Sequence, residues 1–365
     1  MNKRNQGIDL FRCVAMLMVV MLHVLNHGGV LSAAKPNTPM YSAAWLLYAL
    51  GFCAVNCYAL VSGYVGVGTE FRYRRIIPMW LQVTFYSVLI TLLFAVISPE
   101  LVDSNRVISS FFPVIHRTYW YFTMYFALFF LMPLFNHGIR ALAQETAKKL
   151  LIGLLAVFSI LGAAPYFNLL GMVITEDIFM LGEGFSVMWL ALMYIVGGCI
   201  AHFGLGRRVP AWKLWAGFFA CALAAWLFKL TVQTSESAQL KSMVEEDALL
   251  YYPSPLMAGA AVCLLLLFSR LETLPRMPGR VVRFFAPAAF SVYLIHEHPL
   301  VRSEAISGRF AAFTALSPGG MLLRVAVVSI GIFLLCGCID QLRLLLFRLV
   351  KVRQLVDRIA DYGRE

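Results

Sequence analysis

Ten long apolar runs dominate this chain, and they limit it to a helical membrane fold. A helix needs about 20 apolar residues to cross a bilayer, and the runs come close to that length. Hydrophobic residues make up 61% of the sequence and charged residues only 13%, whereas about a quarter of the residues in soluble domains are charged. We therefore predict an all-α, polytopic protein of the cell membrane with about ten transmembrane helices. The predicted spans are residues 8–30, 43–64, 76–98, 119–136, 148–166, 186–204, 211–230, 251–269, 284–301 and 319–340.

The distribution of basic residues predicts the orientation of these helices. Loops on the cytoplasmic side of membrane proteins are enriched in Lys and Arg. If the N-terminus is cytoplasmic, most of the 30 basic residues fall on that side, and the opposite loops are comparatively acidic. We therefore expect both termini to be cytoplasmic. The net charge of +11 then reflects topology and a surface suited to anionic lipids. Nucleic-acid binding is not expected, because the basic residues are spread over separate segments.

The sequence divides into two predicted regions. Residues 1–340 form a transmembrane domain, whose first run is too long for the core of a cleaved signal peptide. Residues 341–365 form a basic, amphipathic cytoplasmic tail, in which apolar residues recur at helical spacing. All eight cysteines lie within predicted spans, which argues against a disulfide framework.

The first apolar run contains two ionisable residues, Arg12 and His23. Such residues inside a membrane segment are costly, so they are candidates for function. Eleven positions on a helix place them within about 20° of one face and about 16 Å apart along the axis. Arg12 alone could be a snorkelling anchor, and His23 could be a hydrogen-bonded core residue. The functional alternative for His23 is a general base, since imidazole titrates near neutrality.

A second basic cluster lies in the predicted cytoplasmic loop after the second span, where Arg72 and Arg75 are three residues apart. The cluster could simply mark topology. Alternatively, arginines bind phosphate oxygens through forked, charge-assisted hydrogen bonds. Arg12, Arg72 and Arg75 would then hold the phosphates of an anionic donor at the inner mouth. Coenzyme A fits this arrangement, because its long thin arm could carry a thioester to His23.

Other side chains are weaker candidates. Trp120 and Tyr121 have the position of an interfacial aromatic belt, and Ser62 with Gly63 could allow close helix packing. A stretch that includes His296 and His298 suggests zinc at first sight. However, adjacent positions on a helix do not converge on one ion, so no metal is predicted.

Taken together, these stretches resemble the acyltransferase-3 family of integral-membrane acyltransferases. The resemblance covers most of the chain, and its motifs occur in the family's order. The matching features are an arginine and a histidine eleven positions apart, an Arg-x-x-Arg loop, a Ser-Gly pair, an aromatic start to the fourth span and a late Tyr-Leu-Ile-His helix. In this sequence they are Arg12 and His23, Arg72 and Arg75, Ser62 and Gly63, Trp120 and Tyr121, and Tyr293 to His296.

The resemblance implies acyl transfer, usually of acetyl, from cytoplasmic acetyl-CoA or another acyl-CoA to a hydroxyl of an extracytoplasmic glycan or lipid-linked sugar. It implies a bacterial plasma membrane, a base or acyl-carrier role for His23 and a CoA site at the arginines. Ser62, Trp120, Tyr121 and His296 are the expected substrate contacts. The chain also resembles the membrane half of certain serine racemases. This keeps open the alternative of a permease for a small polar solute such as an amino acid, with His23 as a proton relay.

Overall fold

The computed structural model describes residues 5–167, 177–352 and 354–357. These residues are nearly all helical, and they form no β-strand; an isolated antiparallel bridge joins Phe167 to Val244. The prediction of an all-α fold is therefore confirmed.

The described part of the chain contains sixteen α-helices, connected by short 3₁₀ or π segments and loops. They are α1 Gln6–Leu25, α2 Val30–Ala33, α3 Pro39–Gly51, α4 Ala54–Gly66, α5 Ile76–Ile97, α6 Ser104–Ser110, α7 Trp120–Ala141, α8 Gln144–Leu155, α9 Val187–Phe203, α10 Ala211–Thr234, α11 Ala238–Met243, α12 Pro255–Ser269, α13 Arg276–Phe285, α14 Ala289–His296, α15 Pro299–Val301 and α16 Pro318–Leu349.

Seven helical stretches within the described residues are long and apolar enough to cross a membrane. The chain is therefore a multi-pass membrane protein, whereas the count of ten spans and the cytoplasmic termini stay predictions. Helices α9 and α12 are apolar but shorter. The seven stretches are Gln6–Leu25, Pro39–Gly66, Ile76–Ile97, Trp120–Ala141, Gln144–Tyr166, Ala211–Thr234 and Pro318–Leu349.

The predicted ninth span, residues 284–301, is not one continuous helix. It consists of the end of α13, the two-turn helix α14 and the short α15. Pro287 and Pro299 lie at the two interruptions, where proline removes a backbone donor and disfavours helix in the residue before it. Helix α14 is therefore short, and its C-terminal residues are buried inside the protein.

The boundary predicted at residue 340 does not coincide with a helix end. Helix α16 continues from the apolar run to Leu349 without a break. Of the predicted tail, residue 353 and residues 358–365 lie outside the described residues. Its assignment as a basic, amphipathic cytoplasmic tail stays a prediction.

Helix α1 lies in the middle of the bundle and contacts α3, α4, α12, α14 and α16. Its side chains Phe11, Val20 and Leu25 are completely buried. The polar residues of α1 are thus held among other helices, where rigid neighbours can position them.

Helices α4 and α9 pack backbone against backbone. A Cβ atom added to Gly63 would collide with the carbonyl oxygen of Tyr194, and one added to Gly197 would collide with that of Leu60. Small residues let membrane helices approach this closely. Close helix packing, one interpretation of the Ser62-Gly63 pair, is therefore what Gly63 provides.

A buried polar network fixes α14 between α5 and α16. Asp340 accepts hydrogen bonds from Tyr86 Oη at 2.7 Å and from Ser291 Oγ, and Arg343 Nε donates to it at 2.6 Å. Gln82 Nε2 donates to the same Ser291. Because each buried charge here has a partner, the network is satisfied, and it anchors the helix that ends at His296.

Candidate functional site

A cavity of about 500 Å³ surrounds the end of α1, and we call it the histidine cavity. His23 is in the last turn of α1, and His27 is in the turn that follows. Glu297 comes directly after α14, and Arg302 follows α15. The early end of α14 is what brings this glutamate to the first helix.

Hydrogen bonds across this site determine the tautomer of His23. His296 Nδ1 contacts the carbonyl oxygen of Val292, which can only accept, so Nδ1 carries the proton. In neutral His296, Nε2 is then an acceptor, and it lies 2.9 Å from His23 Nδ1. His23 must donate from Nδ1, which leaves a free lone pair on its Nε2. The His23 ring lines the cavity, so this lone pair is available to a substrate.

Glu297 supplies a negative charge beside the His23 ring. Its Oε2 lies 3.1 Å from His23 Nδ1, although no described residue is aligned to give this oxygen a hydrogen bond. Its Oε1 accepts from Arg302 Nη1 at 2.6 Å and lies 3.8 Å from His27 Nε2. The carboxylate is 7% exposed. A buried carboxylate this close stabilises an imidazolium more strongly than it would in water.

The ligand atoms of His23, His27 and Glu297 lie within 4.8 Å of one another, a grouping that could hold a metal ion. Neighbours on one helix do not converge on an ion, whereas here Glu297 comes from a second segment. Arg302 already places a cation on Glu297, which disfavours a second positive charge. The prediction that the protein uses no metal stays a prediction.

The rest of the histidine cavity combines aromatic rings with carboxylates. Glu183, Glu245 and Asp247 provide the acidic groups. Lys229, which is fully buried, donates to Asp247 at 2.7 Å and lies 3.7 Å above the ring of Trp45. The loop that carries Asp247 is thereby tied to α10 and α3. The aromatic lining includes Trp45, Tyr48, Phe52, Tyr58, Trp120, Tyr121, Phe185 and Tyr252.

A second cavity of about 340 Å³, which we call the arginine cavity, lies toward the start of α1. Arg12, Arg72, Arg75 and Ser62 all line it. The folded chain thus brings together the three arginines that the sequence analysis grouped. Arg72 donates to Glu70 at 2.6 Å, and this hydrogen bond lowers the pKa of the Glu70 carboxyl group. A bound anion would compete with Glu70 for Arg72.

Tyrosines separate the two cavities, which have no lining residue in common within the described chain. Tyr58 lines the histidine cavity and donates to the carbonyl oxygen of Arg12 at 2.8 Å. Its ring lies 6.1 Å from that of Tyr121, which stacks at 6.4 Å on Tyr125 in the wall of the arginine cavity. These tyrosines therefore form part of the wall between the cavities.

All of the predicted site residues except His296 therefore fall into two groups, one for each cavity. Trp120 and Tyr121 join His23 in the wall of the histidine cavity. His296 does not line it; the side chain lies behind His23 and is 1% exposed. His27, Glu297 and Arg302 were missed as site residues. The charge of Glu297 within a predicted apolar span was the one signal that could have identified it.

Residues 5–340 match the family model described as an acyltransferase domain. The comparison with curated proteins and the comparison with solved structures gave no match. The family match covers nearly the whole chain, including both cavities.

Proposed function

The chain belongs to the acyltransferase-3 family, and from this premise we propose that it is a membrane-bound O-acyltransferase. The donor is an acyl-CoA, in the simplest case acetyl-CoA, and the acceptor is a hydroxyl of a glycan or lipid-linked sugar. His23 is the proposed catalytic base.

The observation that carries this proposal is the His296–His23 hydrogen bond beside Glu297. It supports a neutral His23 with its Nε2 lone pair in the cavity. In the proposed reaction, Nε2 removes the proton of the acceptor hydroxyl as its oxygen attacks the thioester carbonyl carbon. The tetrahedral intermediate collapses, the C–S bond breaks, and the CoA sulfur takes the proton from His23. Glu297 stabilises the imidazolium between these two transfers.

A covalent route uses the same atoms in a different order. His23 Nε2 would attack the thioester, release CoA and pass the acyl group to the acceptor hydroxyl. This route predicts two-step kinetics with an acylated enzyme. Rapid quenching after mixing with labelled acetyl-CoA distinguishes the routes, because only the covalent one leaves label on His23 before acceptor is added.

The arginine cavity supports the donor assignment. Three guanidinium groups around one cavity suit the phosphates of CoA. The rise of a helix puts Arg12 about 16 Å from His23 along the axis, a distance that an extended pantetheine arm can cover. The tyrosine wall between the cavities would have to admit this arm.

The lining of the histidine cavity supports a sugar as acceptor. Aromatic faces can pack against the apolar faces of a sugar ring, and carboxylates accept hydrogen bonds from hydroxyl groups. Trp120 and Tyr252 stack with centroids 6.3 Å apart and belong to this surface, as does Glu183. These groups would orient one hydroxyl toward His23.

The test is transfer of label from acetyl-CoA in membranes that contain His23→Ala. We expect transfer to fall at least 100-fold. His137→Ala is the matched control, because this exposed histidine of α7 lines neither cavity. Transfer at the wild-type rate by His23→Ala would refute the mechanism. Uptake of a labelled amino acid without consumption of acetyl-CoA would instead favour the permease alternative.

A further inference from the structure

A third cavity, of about 560 Å³, adjoins the histidine cavity on the side of α5 and α6. The two share Trp120, Tyr293, Glu297 and Arg302, so they meet at the Glu297–Arg302 ion pair. We call the third one the loop cavity, because residues of the connection between α5 and α7 form much of its wall. The proposed reaction does not use it.

The wall of the loop cavity carries uncommitted positive charge. The Arg117 side chain makes no hydrogen bond or ion pair with the described residues, and Arg106 donates from Nη1 to the carbonyl oxygen of Leu101. The carboxylates nearby are engaged. Asp103 accepts from the backbone N–H of Arg106 at 2.7 Å as the N-cap of α6, and Glu297 is paired with Arg302. An anion entering this cavity would therefore meet free guanidinium donors.

A buried hydroxyl also points to a ligand in this cavity. Ser87 is 1% exposed and lines the loop cavity, yet its Oγ has no hydrogen-bond partner among the described residues. An unsatisfied buried hydroxyl costs free energy. An oxygen-rich ligand between Ser87 and the two arginines would satisfy it.

The same connection is strongly apolar on its outer surface. Ile108, Phe111, Phe112 and Ile115 are 59%, 47%, 51% and 75% exposed. They lie in the connection that follows α5, a helix long and apolar enough to span a membrane, and exposed apolar side chains beside such a helix can insert between lipids. The connection therefore presents apolar groups to lipid and cationic groups to the cavity, a combination that fits an amphiphile with an anionic head.

We propose that the loop cavity binds the phosphate group of an anionic phospholipid. Arg106 and Arg117 contact the phosphate oxygens, and the acyl chains lie over the four exposed apolar side chains. Because Arg302 lines the same cavity, the bound phosphate competes with Glu297 for its guanidinium, which couples lipid occupancy to the histidine cavity. The proposal goes beyond the proposed function, since lipid binding requires no turnover.

Native mass spectrometry of the full chain in detergent tests this proposal. The probes are phosphatidylglycerol and phosphatidylcholine with the same acyl chains. We expect the wild-type protein to bind phosphatidylglycerol about tenfold more tightly than phosphatidylcholine. The double substitution Arg106→Gln and Arg117→Gln should weaken that binding at least tenfold, because each arginine near a lipid surface contributes to anion attraction. The corresponding double lysine variant should retain most of it.

Arg309→Gln is the matched control. Arg309 is exposed, donates to the carbonyl oxygen of Glu304 and lies outside the wall of the loop cavity. The Arg309→Gln variant should bind phosphatidylglycerol as tightly as the wild-type protein does. Equal binding of the two lipids, or unchanged binding by the double glutamine variant, would overturn the proposal. Displacement of the lipid by excess inorganic phosphate would assign the site to a soluble anion instead.

Discussion

His296 illustrates at the residue scale how a buried side chain can set the chemistry of another. It lies behind His23 and fixes which ring nitrogen of His23 is free. We therefore regard it as a positioning residue, in place of the substrate contact expected from sequence. The two histidines lie next to each other, but only His23 lines the histidine cavity.

We predict that His296→Ala lowers kcat for acyl transfer about 100-fold, because His23 loses the acceptor that selects its reactive tautomer. The KM for acetyl-CoA should stay nearly constant. His296→Gln should recover part of the rate, since the amide oxygen can accept from His23 Nδ1. Steady-state kinetics of the two variants checks this. Equal rates for Ala and Gln would contradict a positioning role.

Glu297→Gln tests the charge beside His23 separately from its shape. The substitution keeps the volume but removes the carboxylate that stabilises the imidazolium and pairs with Arg302. We expect kcat to fall about 10- to 100-fold, which corresponds to roughly 1.4 to 2.8 kcal/mol of lost transition-state stabilisation. Thermal unfolding in detergent should show the fold intact. An unchanged kcat would show that Glu297 has no electrostatic role.

At the element scale, the contact between α4 and α9 depends on glycine. We predict that Gly63→Leu destabilises the protein by about 1–3 kcal/mol, because the leucine side chain would collide with the backbone of Tyr194. Gly331→Leu in α16 is the control, since nothing lies within 4 Å of a Cβ built there. Unfolding temperatures of the two variants in the same detergent make the comparison. Equal stability would disprove close packing at Gly63.

The break around α14 is the other decisive feature at this scale. A continuous helix through residues 284–301 would carry His296 and Glu297 along one axis. The two prolines interrupt it, and the Asp340 network holds the short piece in place. Two elements that are about 270 residues apart in sequence thereby form one site.

At the scale of the whole molecule, the two cavities lie toward opposite ends of α1. We predict that Arg75→Gln raises the KM for acetyl-CoA about tenfold, since one charge-assisted phosphate contact is worth roughly 1.5 kcal/mol. Its kcat should change little, because Arg75 is remote from His23. Arg208→Gln, outside the arginine cavity, should leave the KM unchanged. A fall in kcat alone would contradict a donor-binding role for Arg75.

The orientation of the molecule is open to a direct test. We predict that a cysteine at Arg74 is labelled by a membrane-impermeant maleimide only from the cytoplasmic face, and a cysteine at Met180 only from the opposite face. Both positions are exposed, Arg74 at 46% and Met180 at 87%. Inside-out and right-side-out vesicles provide the two faces. Labelling of both sites from one face would contradict transfer across the membrane.

The sequence by itself determined that this chain is an all-α membrane protein, because long apolar runs in lipid can satisfy their backbone groups only as helices. It also singled out Arg12 and His23, since charge inside an apolar run is costly, and Arg72 and Arg75, whose spacing in a predicted loop suits phosphate binding. The family resemblance rested on the same residues, and the match over residues 5–340 agrees with it.

Only the tertiary structure decided how His23 is oriented and which of its ring nitrogens is free. Helical spacing relates residues within one helix, but it contains no information about which distant segment packs beside them. Glu297 and Arg302 reach His23 because a proline-broken segment ends against α1. His23 and His296 have different roles because of one hydrogen bond between them, and because only the His23 ring lines the histidine cavity. That difference depends on packing geometry of about 1 Å, which no residue pattern encodes.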